Sequence, residues 1–131
     1  MKITPKKTIP FEFVLENLGR IDFTVKAFFG CHSIYLGDKI LLTLRNKTEH
    51  TDDNGVWIAT EAEHHASLQK LFPNMRSIKV FGGPSSNWQI LPADADDFEE
   101  SVLLACELIL KNDLRIGKIP KKKKAKQQKL K

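Results

Sequence analysis

The chain has 131 residues, the size of one ordinary domain, and enough apolar content to bury a core without disulfide staples. Its two cysteines are too few for a secreted disulfide framework, and no apolar run nears the roughly 20 residues that span a bilayer. The net charge of +5 is unevenly spread: eight of the 21 basic residues fall within 118–131, so residues 1–117 carry 13 basic against 16 acidic ones, a net of −3. Residues 1–7 read as a frayed, basic start without a signal-peptide stretch. Pro10 suits a first helical turn, and Phe11, Val14, Leu15 and Leu18 follow at helical spacing up to Gly19; a short strand over 11–15 is the alternative. Phe23, Val25 and Ala27 alternate with polar residues, as in a strand, and Phe28-Phe29 lead to Gly30. Ile34–Leu36 and Ile40–Leu44 flank Gly37-Asp38, a hairpin signal because glycine tolerates the positive φ of a II′ turn.

Residues 46–55 are polar and end in the turn dipeptide Asn54-Gly55; Val56–Ala59 is the next strand. Thr60-Glu61-Ala62-Glu63 has the spacing of a capping box for a helix carrying Ala62, Ala66, Leu68, Leu71 and Phe72, which Pro73 stops. Short strands are expected near 77–81 and 88–91, separated by the loop 82–87. The acids of 94–97 open the last helix, with Asp96 and Glu99 as a second box. Phe98, Val102, Ala105, Cys106, Ile109 and Leu110 form its apolar face, and Asn112 ends it. Gly117 and Pro120 mark the boundary of the domain with the lysine-rich end. This order predicts an α+β fold of two layers: a mostly antiparallel sheet of five or six strands with helices on one face. The domain is expected over 1–117, with 118–131 a basic, disordered tail.

Several groups invite a chemical reading. Cys31 and His32 could pair as nucleophile and base, but neighbours on a strand point to opposite faces. His64 and His65 are adjacent rather than four apart, so they do not make a zinc-protease helix; a Glu61–His65 pair on a solvated face is expected instead. Gly82, Gly83 and Ser85 belong to a glycine-rich loop that could take an anion, yet it lacks the Gly-Lys-Ser/Thr ending of a P-loop. Together with Cys31 and His32, these residues form the candidate small-ligand site. The acids from Asp94 to Glu100 lack calcium-loop spacing. Trp57, Trp88 and Tyr35 read as core aromatics, with base stacking the alternative. Lys121, Lys122, Lys123, Lys124 and Lys126 could hold nucleic-acid phosphates without reading sequence, having no Arg among them for bidentate base contacts.

The segment Phe11–Gly19, then Phe28-Phe29-Gly30, then Ile34-Tyr35-Leu36-Gly37-Asp38-Lys39 resembles the N-terminal domain of the TfoX/Sxy family of competence regulators. Trp88, the acidic helix start at 94–100 and Lys118-Ile119-Pro120-Lys121 resemble the related MmcQ/YjbR group. The resemblance implies a two-layer α+β fold and a DNA-associated or transcription-related role. It lacks the helix-hairpin-helix domain of the full regulators, and Cys31-His32-Ser33 replaces the family's glycine-rich turn. The expectation is a non-enzymatic, cytoplasmic, regulatory or nucleic-acid-associated domain. No cofactor and no membrane contact is expected. A protein-interaction domain, homodimeric or with a protein partner, and a small-ligand domain or enzyme are the rivals.

Overall fold

Two tight turns fix the first three strands. In the computed structural model, which describes residues 9–120, β1 (Thr24–Phe28) and β2 (Cys31–Leu36) are joined by Phe29-Gly30, both at positive φ (48° and 80°). These are the signs of a type I′ turn, whose twist matches that of the strands it joins. Gly37 (φ 65°) opens the turn from β2 to β3 (Lys39–Arg45), as the Gly-Asp pair predicts. Beyond Lys39 every residue of β3 is buried, because the strand lies inside the sheet with protein on both faces. The chain then runs through a polar loop with a 3-10 turn at Thr51–Asp53 into β4 (Gly55–Ile58). A 3-10 turn (Ala62–His64) and α2 (His65–Leu71) carry it to β5 (Arg76–Ser77) at the edge, and β6 (Gln89–Pro92) returns between β4 and β5. The sheet order is β1-β2-β3-β4-β6-β5, antiparallel throughout.

The main core lies on one face. Ile34, Leu42, Leu44, Val56, Ile58 and Leu91 meet α1 (Glu12–Asn17), α2 and α3 (Phe98–Leu110) there. The spacing of Val102, Ala105, Cys106 and Ile109 puts them on the buried side of α3. Phe11 and Phe13 meet Phe98 edge-on at 5.3 and 6.2 Å, so the first and last helices are packed together. The helix reading of 11–18 therefore holds over its strand alternative, and the α+β architecture with six antiparallel strands is observed. Among the described residues no helix is long and apolar enough to cross a membrane.

Both predicted capping boxes are absent, for the same reason. A box needs its hydroxyl or carboxylate directly before the first turn. Glu61, in extended conformation, stands between Thr60 and the 3-10 turn, so the Thr60 hydroxyl is one residue too early and is buried without a partner. Likewise α3 starts at Phe98 with Asp97 at its N-cap, one residue beyond Asp96, and the Asp97 carboxylate accepts from Asn74 Nδ2 (2.9 Å) instead. The far end of α3 follows expectation. Asn112 takes φ 64°, its N–H reaches Ile109 O (2.9 Å), and Asp113 N–H reaches Leu108 O (2.9 Å). These paired bonds satisfy the last free carbonyls of the helix. Gly117 N–H then donates to Ala59 O (2.6 Å), and Lys118 exchanges two backbone bonds with Ile40 (2.8 and 3.0 Å). The chain is thus still joined to the sheet at Lys118, one residue beyond Gly117, taking the place beside β3 where β4 stops.

Gly55 is the tightest point of the sheet. Its φ is 147°, and a Cβ there would lie 2.3 Å from Leu91 O and 2.8 Å from Ala93 N. These are backbone atoms of the paired strand and cannot swing aside. Gly55→Ala is expected to cost about 3 kcal/mol or more, through strain and overpacking together, read as a lower urea midpoint with unchanged slope.

Candidate functional site

The loop between β3 and β4 is organised by one buried carboxylate. Asp53 is fully buried. Its Oδ2 accepts the backbone N–H groups of Lys79 (2.8 Å) and Val80 (2.9 Å), and its Oδ1 accepts from Arg76 Nη1 (3.2 Å). The Asp53 carbonyl takes the Trp57 indole N–H (3.0 Å), and Arg76 also donates to the Asp52 carbonyl. This arrangement explains why residues 78–81 do not form the expected strand and β5 ends at Ser77. Amides that a strand would give to its neighbour are given to a side chain.

Arg45 and Asn54 hold the rest of the loop. The Arg45 guanidinium donates to His50 O (2.9 Å), Glu49 O (3.1 Å) and Asn54 Oδ1 (2.8 Å). Asn54 also accepts from Lys47 N–H and donates to Lys47 O, each at 2.8 Å. The loop and the 79–81 segment enclose a cleft of about 540 Å³, lined by Arg45, Lys47, His50 and Lys79 with Phe29 and Phe81 at its rim. Asp52 lies there too, bonded to Lys79 Nζ (3.0 Å), which holds its carboxyl below the usual carboxylate range.

The rim aromatics share an unusual backbone. Phe81-Gly82 repeats the Phe29-Gly30 turn, with φ 50° and 90° and a Gly83 N–H to Val80 O bond of 3.0 Å. The left-handed region costs a non-glycine residue about 1–2 kcal/mol, and asparagine or aspartate is the usual choice there. Both rings are also exposed, Phe29 by 66% and Phe81 by 49%, and they meet at 4.9 Å between centroids. Phe28 continues the strip from Phe29 (4.8 Å) to Trp88 (5.8 Å), and Trp88 adjoins the buried Trp57 (5.6 Å). The strip lies on the sheet face away from the helices. There Ser33 and Thr43 share a buried hydroxyl bond (2.7 Å), and Trp57, Ile78 and Ile90 form a second small core. At its lower end, Phe28, Tyr35 and Trp88 line a hollow of about 390 Å³ with Lys118 and Pro120.

The groups singled out from sequence fall apart in space. Cys31 is buried, its Sγ 3.7 Å from Phe29 O, while His32 is half-buried and lines a separate depression with Pro10 and Asn46. The two are on opposite faces of β2, as strand geometry requires. Gly82 and Ser85 are exposed and Gly83 is buried in the next turn, where Ser85 and Ser86 hydroxyls donate to Gly82 and Gly83 carbonyls. The Glu61–His65 pair does not form, because Glu61 precedes the helix: His65 Nε2 lies 3.2 Å from Asn87 O, and Glu61 faces Lys118 Nζ at 3.8 Å. Of the three aromatics read as core, Trp57 is buried, whereas Trp88 and Tyr35 are half-buried, with Lys26 Nζ 4.7 Å above the Tyr35 ring. Lys121–Lys124 and Lys126 lie outside the described residues. Among the described residues no cluster of three His, Cys, Asp or Glu could hold a metal.

Asp53, Arg45, Lys47 and the two rim phenylalanines carry this site, and the sequence reading passes over all but Phe29, which it takes only as a step into a turn. The repeated Phe-Gly dipeptide was the available signal. The chain matches no family model, no curated protein and no solved structure. The TfoX/Sxy and MmcQ/YjbR resemblance therefore stands on its motifs alone.

Two outcomes follow from this geometry. Asp53→Ala leaves the Lys79 and Val80 N–H groups and Arg76 without their shared acceptor, and is expected to destabilise by about 2 kcal/mol or more in urea melts. Burial pushes the Cys106 thiol up to about 12 and raises Cys31 as well, the Lys47 and Arg45 charges offsetting part of the latter. A raised thiol pKa means less thiolate in the fold. Ellman's reagent at about pH 8 should label neither cysteine within minutes in the native protein, and both in denaturant.

Proposed function

We propose that this is a non-enzymatic, nucleic-acid-associated domain of regulatory type, and that its binding surface is the sheet face opposite the helices. One observation carries the reading. Pro120, the last described residue, lies in the same hollow as Phe28 and Trp88. The lysines from Lys121 onward therefore start at the foot of an aromatic strip that leads through Phe29 and Phe81 to Lys47 and Lys79. Cations along a row of aromatic faces suit a single strand, whose phosphates take the charges while its bases stack. The acidic balance of the body argues against a broad duplex footprint. The motif resemblance to TfoX/Sxy and MmcQ/YjbR proteins points the same way.

A protein-interaction reading has support from β1, which among the described residues pairs only with β2 and leaves its outer edge open. Lys26 at the middle of that edge opposes strand addition. Sedimentation at rising concentration separates the two, since edge-to-edge dimers would show a concentration-dependent mass.

Fluorescence anisotropy with single-stranded and duplex oligonucleotides tests the main reading, using the full chain and a chain ending at Pro120. The full chain should prefer the single strand, with a log K against log salt slope of about −3 to −5 if the five lysines Lys121–Lys124 and Lys126 each meet a phosphate. The shorter chain should bind more weakly and with a shallower slope. Absence of binding by the full chain at low salt would remove the nucleic-acid reading.

A further inference from the structure

We propose that the cleft between the 46–54 loop and the Phe81 turn is a nucleoside-phosphate site: Arg45 and Lys47 take the phosphate, and the exposed rings of Phe29 and Phe81 take the base. The inference deepens the nucleic-acid reading and rests on it for the choice of ligand class.

The charge at the base of the cleft is uncompensated. Arg45 is only 4% exposed, yet its three bonds all go to neutral acceptors, and no carboxylate lies within 4.0 Å of it among the described residues. Buried cations are ordinarily paired, because desolvation without a counter-charge is costly. The nearby acids are already engaged: Asp53 by Arg76 and two amides, Asp52 by Lys79. Lys47 makes no ion pair among the described residues. Arg45 and Lys47 thus outnumber Glu49, the one cleft acid without a cation partner there. Three of the five guanidinium N–H groups are in use, which leaves two for an anion, and a guanidinium fork matches phosphate oxygens.

The rim supplies the second half of the ligand. Phe29 and Phe81 occupy left-handed positions where asparagine would be easier, and both present ring area to solvent. The rings touch each other, Phe28 and Trp57, and still leave about half or more of their surface open. A purine or pyrimidine stacks on such a face whatever its identity. The cleft, at about 540 Å³, falls in the size range of small-ligand sites, roughly 300–1,000 Å³.

The test is calorimetric titration of the full chain with adenosine monophosphate, adenosine, inorganic phosphate, and a short oligothymidylate with and without a 5′-phosphate. The monophosphate should bind about tenfold or more tightly than adenosine or phosphate alone. Lys47→Gln should weaken it about fivefold or more. Phe29→Asn and Phe81→Asn, which suit their turns, should weaken it similarly while leaving the melting temperature in place. Arg45 also staples the loop, so these three variants decide the matter rather than a change at Arg45. If the free nucleotide binds and no oligonucleotide does, the site stands and the nucleic-acid reading falls. If only the 5′-phosphorylated strand competes, a strand terminus is the source of the ligand. No monophosphate binding at millimolar concentration, or binding indifferent to all three variants, overturns the proposal even if the tail still holds DNA.

Discussion

The Asp53 carboxylate is the joint on which the second half of the molecule depends. It belongs to the loop after β3, and it bonds β5 through Arg76 and the chain beyond β5 through the amides of Lys79 and Val80. Burying an anion is expensive unless its oxygens are fully occupied by donors. Here two amides and a guanidinium occupy them, and the indole of Trp57 fixes the backbone beneath. The 78–81 segment is thereby pulled off the strand path and bent into the Phe81 turn. Without that bend the two phenylalanine turns would not meet, and the cleft would have one wall. Local electrostatics, rather than strand propensity, shapes the surface offered to a ligand.

The two faces of the sheet follow different rules. The helix side is an ordinary apolar core, filled from every major element. The far side mixes a hydroxyl pair, tryptophans, exposed phenylalanines and cations, and residues 78–88 cover part of it. Such a face is poorly explained by stability alone. Strained φ at Phe29 and Phe81 and a charge at Arg45 that meets no carboxylate among the described residues are costs, and they fall within one cleft. Costs of this kind gather where a surface is shaped for binding.

Most of the fold was legible because it rests on short-range chemistry. Gly37-Asp38, the apolar stripe of α3 and Asn112 each signal a local conformation, and each is found; the Asn54-Gly55 turn is not, because Asn54 is extended and Gly55 already belongs to β4. Two of the errors were one-residue shifts at helix starts, where Thr60 and Asp96 stand one place too early for the roles their spacing suggested. The site was less legible because it is assembled from distant pieces. Asp53 and the amides of Lys79 and Val80 are 26 and 27 residues apart, and no periodicity links them. Arg45 drew no reading, since nothing in sequence says whether a carboxylate will face it. Adjacency works in the opposite sense: Cys31 and His32 stand side by side in the sequence, and the sheet divides them as strand geometry requires.

The closing segment also governs how the chain can fold. Lys118 seals the sheet against Ile40, and α1 rests on α3, so elements near the start and the end complete each other. The hairpins of β1–β3 need only local contacts, but their apolar face stays incompletely covered until α3 is made. High sequence separation slows such closure and makes it cooperative. A nascent chain that has not yet released residues 98–118 would carry an exposed sheet, and its safest partner during synthesis would be a chaperone.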